Sequence, residues 1–508
     1  MNTPTSPGAA ATAPDPLRWK ALAVLGLIQF IFVVDATVVN VALPRIQDDL
    51  GFSAPGLAWV VNGYTVMAAG LLLLGGRLAD ILGRRRMFLI AAIIFGLASA
   101  ASGAASSAEM LVVSRFVQGL GEAFGVPAAL GIVFVLFSEP KERMKAVGIW
   151  GGLSGIAGTL GVVLSGVLTD LASWRVLFYI NVPIVLFALI VVPRLIKESR
   201  MVRDGNRFDF LGAITATLGL VSVVYALLQG VQHEWGSSEV LVPLIVGVAL
   251  LIGLVGIEAR SRAPLIPLWF FGDRTRAISY VAIVFTGCAF FTYVFLLTLF
   301  QQELLHFSPL QGGLANLPLG LAIGIGVGLS TGMMPKMGAK PVMVVGLIGA
   351  AVGLFLTSFI SLQTSYVTGV LPGMLLFGIF FGLVTSASAN TALHRVTGQE
   401  SGIASAVLNV MMQIGGAIGL AGAATIALRF AAGEISEGVA PDVATASGYA
   451  LAFRIAAALL LLGGLATIVF MQNMMPSFPG AAPADGAIPE QVSDDSDAPA
   501  TTTPERVV

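Results

Sequence analysis

Two short stretches of this chain carry charges where charges are costly. In VVDATVVNVALP, residues 33–44, Asp35 interrupts an otherwise apolar run that extends from 20 to 43. In SRFVQGLGEAFGVP, residues 114–127, Arg115, Gln118 and Glu122 recur inside a second apolar run, from 110 to 137. At 100° per residue Arg115, Gln118, Glu122 and Gly125 fall within about 80° of arc, so a single polar stripe runs down an apolar helix. A charge at membrane depth costs roughly 2.5–3.5 kcal/mol on insertion scales and persists where it pairs or lines a pathway. The chemistry open to this set is reversible protonation. A proton on Asp35 or Glu122 removes a buried negative charge, and Arg115 is the counter-charge that holds or releases it. On a helical wheel Thr37 and Asn40 project about 140–160° away from Asp35, on the side of Gln29. Gln29, Thr37 and Asn40 therefore point away from Asp35 and are candidates for contact with a bound molecule, while Asp35 needs a partner on another helix. Gln118 is a further candidate for that cavity, as are Asn409 and Gln413, which lie one turn apart in a later apolar run.

The elements that must hold these side chains are membrane helices. The chain has 508 residues, 56% of them hydrophobic and 11% charged, with a mean hydropathy of +0.90; soluble chains carry roughly a quarter charged residues. Fourteen apolar runs of about 19–27 residues lie between residues 20 and 471, each long enough to span a bilayer. Most of the 60 glycines fall inside these runs, where they let helices approach closely. An even number of spans puts both termini on one side of the membrane. Of the 27 Lys and Arg, all but Arg45, Arg175 and Arg429 and the in-span Arg115 and Arg454 fall in the terminal tails and alternate loops. That asymmetry places both termini in the cytoplasm.

Other classes of function are disfavoured. The single cysteine, Cys288, and the widely spaced His233, His306 and His394 offer no metal cluster. No G-x-x-x-x-G-K-[ST] loop occurs, so ATP is not an evident energy source. No cofactor is expected; the proton is the coupling ion. A membrane potential supplies about 2.3 kcal/mol per charge per 100 mV and a pH difference about 1.4 kcal/mol per unit. Outer loops are short and poor in catalytic groups, which argues against a membrane enzyme, and the tails are too short for a sensor domain. Arg far outnumbers Lys in an Ala- and Gly-rich chain, a usage that points to a GC-rich bacterial genome and hence to a bacterial plasma membrane.

Three motifs add detail. In GGRLADILGRRR, residues 75–86, Gly76 and Gly83 permit a tight turn between helices, and Asp80 can pair with Arg84 or Arg85, a cluster suited to latching one conformation. STGMMPKMGAK at 330–340 aligns Gly338 with Gly83 and Lys340 with Arg85, a weak internal repeat of the kind found in transporters. In GIWGGLSGIAGTLGVVLSG, residues 148–166, closely spaced glycines, among them Gly158, suit tight helix packing.

The first of these motifs matches the G-x-L-A-D-x-x-G-R-R loop of the major facilitator superfamily, with Ile81 where a basic residue is usual. RFVQGLG resembles the fourth-helix motif of that superfamily, which is associated with proton coupling; Glu122 stands at a position usually small there. Gly161 and Gly166 resemble parts of its antiporter motif, with Val162 in place of the proline and Ser165 in place of a glycine. Together with DATVVNVALP, WRVLFYINVP, FDFLG, SPLQGGLANLP and GIASAVLNVMMQIGGAIG, the chain resembles the fourteen-span drug:proton antiporter branch, the EmrB/QacA type.

This resemblance implies an all-α membrane fold of 6+2+6 helices, with a bundle over 19–196, a linker with two inserted helices over 197–260 and a second bundle over 261–472. Residues 1–18 and the acidic segment 473–508 are expected to be disordered tails. It further implies that the helices carrying Asp35 and Arg115 are neighbours, so that Asp35 faces Arg115, and a monomer that exports lipophilic or cationic small molecules by alternating access in exchange for protons, with no nucleic-acid partner. A proton-coupled importer is the alternative.

Overall fold

The computed structural model describes residues 17–473, apart from 138, 201–208, 262–263, 265–267, 393, 395 and 397–400. At residue 54, several positions of 140–162 and 401–403 it describes the backbone alone. The two expected tails lie outside the described residues except for their innermost few.

The apolar runs fold as helices. The first seven are α1 (Arg18–Leu50), α2 (Ala54–Leu82), α3 (Arg84–Gly103), α4 (Ala108–Leu136), α5 (Pro140–Leu171), the short α6 (Val176–Tyr179) and α7 (Asn181–Leu195). Two more follow, α8 (Phe210–Gln229) and α9 (Ser238–Arg260). The remainder are α10 (Arg274–Leu299), α11 (Pro309–Met337), α12 (Ala339–Thr357), α13 (Leu371–Ala392), α14 (Ser401–Ser436) and α15 (Pro441–Phe470).

Their starts are set by side-chain caps that satisfy otherwise orphaned amides. Ser53, Ser107, Asp209 and Asp273 each accept the amide three residues on, and Ser308 forms a reciprocal capping box with Gln311. Thirteen of the described helices are long and apolar enough to cross a membrane, against the fourteen runs expected. The run at 146–168 makes the difference: it forms part of the 32-residue helix α5, which is not among the thirteen.

Helix pairing follows the same plan twice. Within α1–α7, α1 packs on α5, α2 and α3 on α4, and α3 on α7; within α10–α15, α10 packs on α14, α11 and α12 on α13, and α12 on α15. The weak sequence repeat is thus a structural one. It reaches down to the turn between the second and third helices of each half, where Gly83 has φ +113° and Gly338 has φ +83°. In the first half Glu198, beyond α7, accepts the Arg85 and Arg86 amides at 3.0 Å. In the second, Asn473, beyond α15, accepts the Lys340 amide at 3.3 Å.

The inserted α8 and α9 pack on each other, and α8 also lies against α2 and α14, touching both halves. Directly between the halves, α5 meets α11 and α2 meets α14. The buried apolar residues show where these contacts are strongest. One cluster joins the α1–α7 residues distant from the termini, such as Val38, Leu43 and Leu57, to Ala289, Tyr293 and Phe300 of the second half. At the terminal end of α1–α7 a separate cluster, including Leu25, Phe88 and Val192, holds only residues of that half and Ala213 of α8.

Candidate functional site

Asp35 sits in the middle of α1 with no solvent exposure, and Arg115 on α4 is 1% exposed. The two form an ion pair, the pairing expected once their helices are neighbours. A lone pair of charges in such a place would be poorly compensated, and the structure surrounds it with donors. Gln118 Nε2 donates to Asp35 Oδ1 at 3.0 Å, and Asn181 Nδ2 at the start of α7 donates to the same oxygen at 2.9 Å. Arg115 also gives Nη1 to Gln118 Oε1 at 3.0 Å and Nε to the Val60 carbonyl of α2 at 2.9 Å, and its guanidinium lies 4.3 Å from the Tyr64 ring centre.

Behind these, Ser99 and Ser102 of α3 complete the network. Asn181 donates to Ser99 Oγ at 3.0 Å, Ser99 donates to the Phe178 carbonyl at 2.8 Å, and Ser102 donates to Gln118 Oε1 at 3.1 Å. Arg115 and Gln118 of α4 and Asn181 of α7 therefore meet at one carboxylate of α1, backed by Ser99 and Ser102 of α3 and the Val60 carbonyl of α2. Every partner of that carboxylate is a donor, so a proton arriving there would displace at least one bond.

Glu122 lies about two turns beyond Arg115 along α4 and meets the Tyr64 hydroxyl, which is 3.3 Å from the Phe32 carbonyl oxygen. It sits deep in the bundle yet keeps accessible surface, unlike Asp35. Tyr64 thus stands between Glu122 and the Arg115–Asp35 pair.

The residues assigned to a cavity divide. Gln118 is fully buried in the ion-pair network and does not line an opening in this structure. Gln29 and Asn40 are buried as well, with Asn40 bonded back to the Ala36 and Thr37 carbonyls of its own helix. Thr37 does point away from Asp35, but toward α5: a methyl group on Gly161 would overlap its Oγ1. Asn409 is exposed and Gln413 half-buried, so these two keep access to open space. Gly166 packs against Pro309 and Leu310 of α11, and the surroundings of Gly158 lie outside the described residues.

In the 75–86 loop Arg84 bonds Asp80 Oδ1 at 2.8 Å and the Gly131 carbonyl of α4 at 3.2 Å. Arg85 does not join Asp80; it donates to the Ile196 carbonyl at 3.1 Å and lies 3.9 Å from Glu198. Gly76 faces Pro127 of α4, and Gly83 abuts Glu198. All of these contacts stay within the first half of the molecule. Sequence reasoning missed Glu198 and Asn181. Glu198 is an acid in a basic loop and belongs to no motif, and Asn181, an amide in an apolar run, stands out only as part of WRVLFYINVP.

Contacts that cross between the halves gather at the end away from the termini. Gln302 Nε2, in the π-turn Phe300–Leu304 that ends α10, donates to the Val41 carbonyl of α1 at 2.7 Å. The second half also holds the inserted segment: Thr425 of α14 bonds the Leu227 carbonyl of α8, and Arg429 the His233 carbonyl at 3.1 Å.

A helical bundle repeated in two halves, with a charged, enclosed site inside the first, has many relatives. Residues 25–420 match the sequence profile described as Major Facilitator Superfamily. The chain belongs to this superfamily. A puromycin resistance protein of Streptomyces alboniger is 36% identical over 472 residues, covering 92% of this chain and 93% of that protein. A lincomycin resistance protein of Streptomyces lincolnensis is 40% identical over 310 residues, 60% of this chain and 63% of that protein.

Solved structures show the same fold. A bacterial homologue of the human lysosomal transporter Spinster, in an inward-facing and unoccupied conformation, aligns with a TM-score of 0.66 at 16% identity, covering 90% of this chain and 98% of that one. The human organic anion transporter MFSD10 aligns with a TM-score of 0.60 at 16% identity, covering 89% and 100%. As a member of the superfamily the chain is a multi-pass membrane transporter and not an enzyme.

Proposed function

We propose that this transporter exports amphipathic small molecules by alternating access and is driven by protons passing through the Asp35–Arg115 site. The observation that carries this reading is an ion pair with no solvent exposure, on helices of a transporter half, whose carboxylate accepts bonds from three different side chains. Such a site has two discrete states. With Asp35 charged, Arg115, Gln118 and Asn181 tie α1 to α4 and α7. With Asp35 protonated, the tie to Arg115 loses its charge and α1 is freed to rock relative to α4. Glu122, which keeps accessible surface and meets Tyr64, is the acid that exchanges protons with water, and Asn409 and Gln413 contribute to the substrate cavity.

The direction and driving force rest on further support. The resistance proteins that resemble this chain are named for protection against antibiotics, which favours export over import. We place α5 as the fourteenth span and both termini in the cytoplasm, in keeping with the distribution of Lys and Arg. The far-end closure then corresponds to an inward-facing state of a monomer in a bacterial plasma membrane. Two acids within the spans, Asp35 and Glu122, favour a lipophilic cation as the counter-transported solute, with Arg115 offsetting one of them.

The test is a growth-inhibition panel of lipophilic antibiotics and cationic dyes in an efflux-deficient bacterial host, with and without a protonophore. Export driven by protons raises the inhibitory concentration of at least one compound, and the protonophore abolishes the gain. Resistance that persists under the protonophore would sink the coupling, and accumulation of compound in expressing cells would turn the reading to import.

A further inference from the structure

A second polar cluster lies apart from the Asp35 site, on the flank of the first bundle at the terminal end. Arg85, Arg86, Leu89, Ile90 and Ile93 of α3 and Glu198 and Arg200 beyond α7 line a pocket of about 380 Å³. Its wall is divided, guanidinium groups at one end and aliphatic side chains at the other. Glu198 is the one acid in this lining, and both of its oxygens are already engaged by the Arg85 and Arg86 amides. The Arg84 amide is likewise taken, by the Ser199 carbonyl at 3.0 Å. The start of α3 is therefore capped, and the positive charge of the pocket comes from side chains.

Those side chains have spare capacity. Arg85 uses Nη1 on the Ile196 carbonyl, while its shielded Nε makes no hydrogen bond. Arg86 and Arg200 are exposed, and among the described residues neither side chain has an acid partner. From the pocket an apolar stripe climbs α3: Ile90, Ile93 and Leu97 are 39%, 43% and 68% exposed and share one face. Ile190 of the neighbouring α7 is 58% exposed. With α3 only 20 residues long, about 30 Å at 1.5 Å per residue, its first turn lies where the hydrocarbon ends and headgroups begin.

We propose that this pocket binds an anionic phospholipid, with its phosphate against Arg85, Arg86 and Arg200 and one acyl chain along Ile90, Ile93 and Leu97. Guanidinium groups meet phosphate oxygens in bidentate pairs, and basic pockets at the membrane boundary are suited to acidic headgroups. A free phosphate would satisfy the guanidiniums alone; the aliphatic stripe continuous with them is what selects a lipid. A phosphate shared by Arg86 and Arg200 also ties α3 to the segment after α7, reinforcing the bridge that Glu198 makes.

The purified full-length protein in detergent is incubated in turn with dioleoyl phosphatidylglycerol, dioleoyl phosphatidylcholine and sodium phosphate, and followed by native mass spectrometry and thermal unfolding. Phosphatidylglycerol should remain as a one-to-one adduct and raise the unfolding temperature; phosphatidylcholine and phosphate should do neither. Arg86→Gln with Arg200→Gln should weaken that adduct roughly tenfold, the equivalent of about 1.4 kcal/mol. Lys336→Gln with Lys340→Gln, at the corresponding turn of the second bundle, should leave it unchanged. Equal retention of phosphatidylcholine, or an adduct unaffected by loss of the two arginines, overturns the proposal. Stabilisation by phosphate equal to that by lipid assigns the pocket to a soluble anion and overturns it too. Should the arginine variant fail to purify, Ile93→Ser with Leu97→Ser must weaken the lipid adduct for the proposal to stand.

Discussion

At Asp35 the chemistry is decided by what the carboxylate can accept and from whom. Three donors converge on two oxygens in a place without solvent, so removing the charge and removing the counter-charge have different consequences. Asp35→Asn keeps the size of the side chain and takes away the proton site. We expect substrate efflux from inverted vesicles to become independent of an imposed pH gradient while the protein still inserts; efflux that still follows the gradient would exclude Asp35 as the coupling acid. Arg115→Gln leaves a buried carboxylate without its cation, at a cost of about 3–5 kcal/mol. Combining the two changes should recover much of that loss, and thermal unfolding of the single and double variants in detergent measures it. Additive losses would mean that the pair contributes no coupling energy.

Among the elements, the turn between α2 and α3 shows how the loop motif works as structure. Gly83 adopts φ +113°, and a Cβ there would come within 2.6 Å of the Glu198 carboxyl carbon. Gly83→Ala should therefore cost about 1–3 kcal/mol through backbone strain and displace the carboxylate that caps α3, read as a lowered unfolding temperature. An unchanged temperature would show that the turn relaxes freely. The Asp80–Arg84 pair was expected as a latch from GGRLADILGRRR. In this structure it fastens α2 to α3 and α4 inside one half.

For the whole molecule the question is which end is shut. Far-end contacts pass from Gln302 to Val41 and from Gly166 to Pro309 and Leu310, where a larger side chain would meet backbone. Gly166→Leu should wedge that end apart. A cysteine placed at Val41, buried in the closed state, should then label faster with a membrane-impermeant maleimide added from outside, in a background where buried Cys288 is replaced by serine. Labelling that does not change would mean that Gly166 is not part of the closing surface.

By itself the sequence determined that the chain crosses the membrane many times, that its halves repeat, and that Asp35 and Arg115 are charges within spans that need partners. These follow from local physics: a bilayer demands long apolar helices, and charges within them are so few and so costly that they must find each other. Tertiary structure alone decided the rest. The polar stripe on α4 faces α1 and not a cavity, so Gln118 became part of the ion-pair network. Asn181 and Ser99 joined it from helices distant in sequence, because an uncharged amide or hydroxyl in an apolar run signals its partner only when the helices are packed. Glu198 came to cap α3 from beyond α7 for the same reason. The closed end is likewise a property of how the two halves meet, since one sequence must serve both states of an alternating-access cycle.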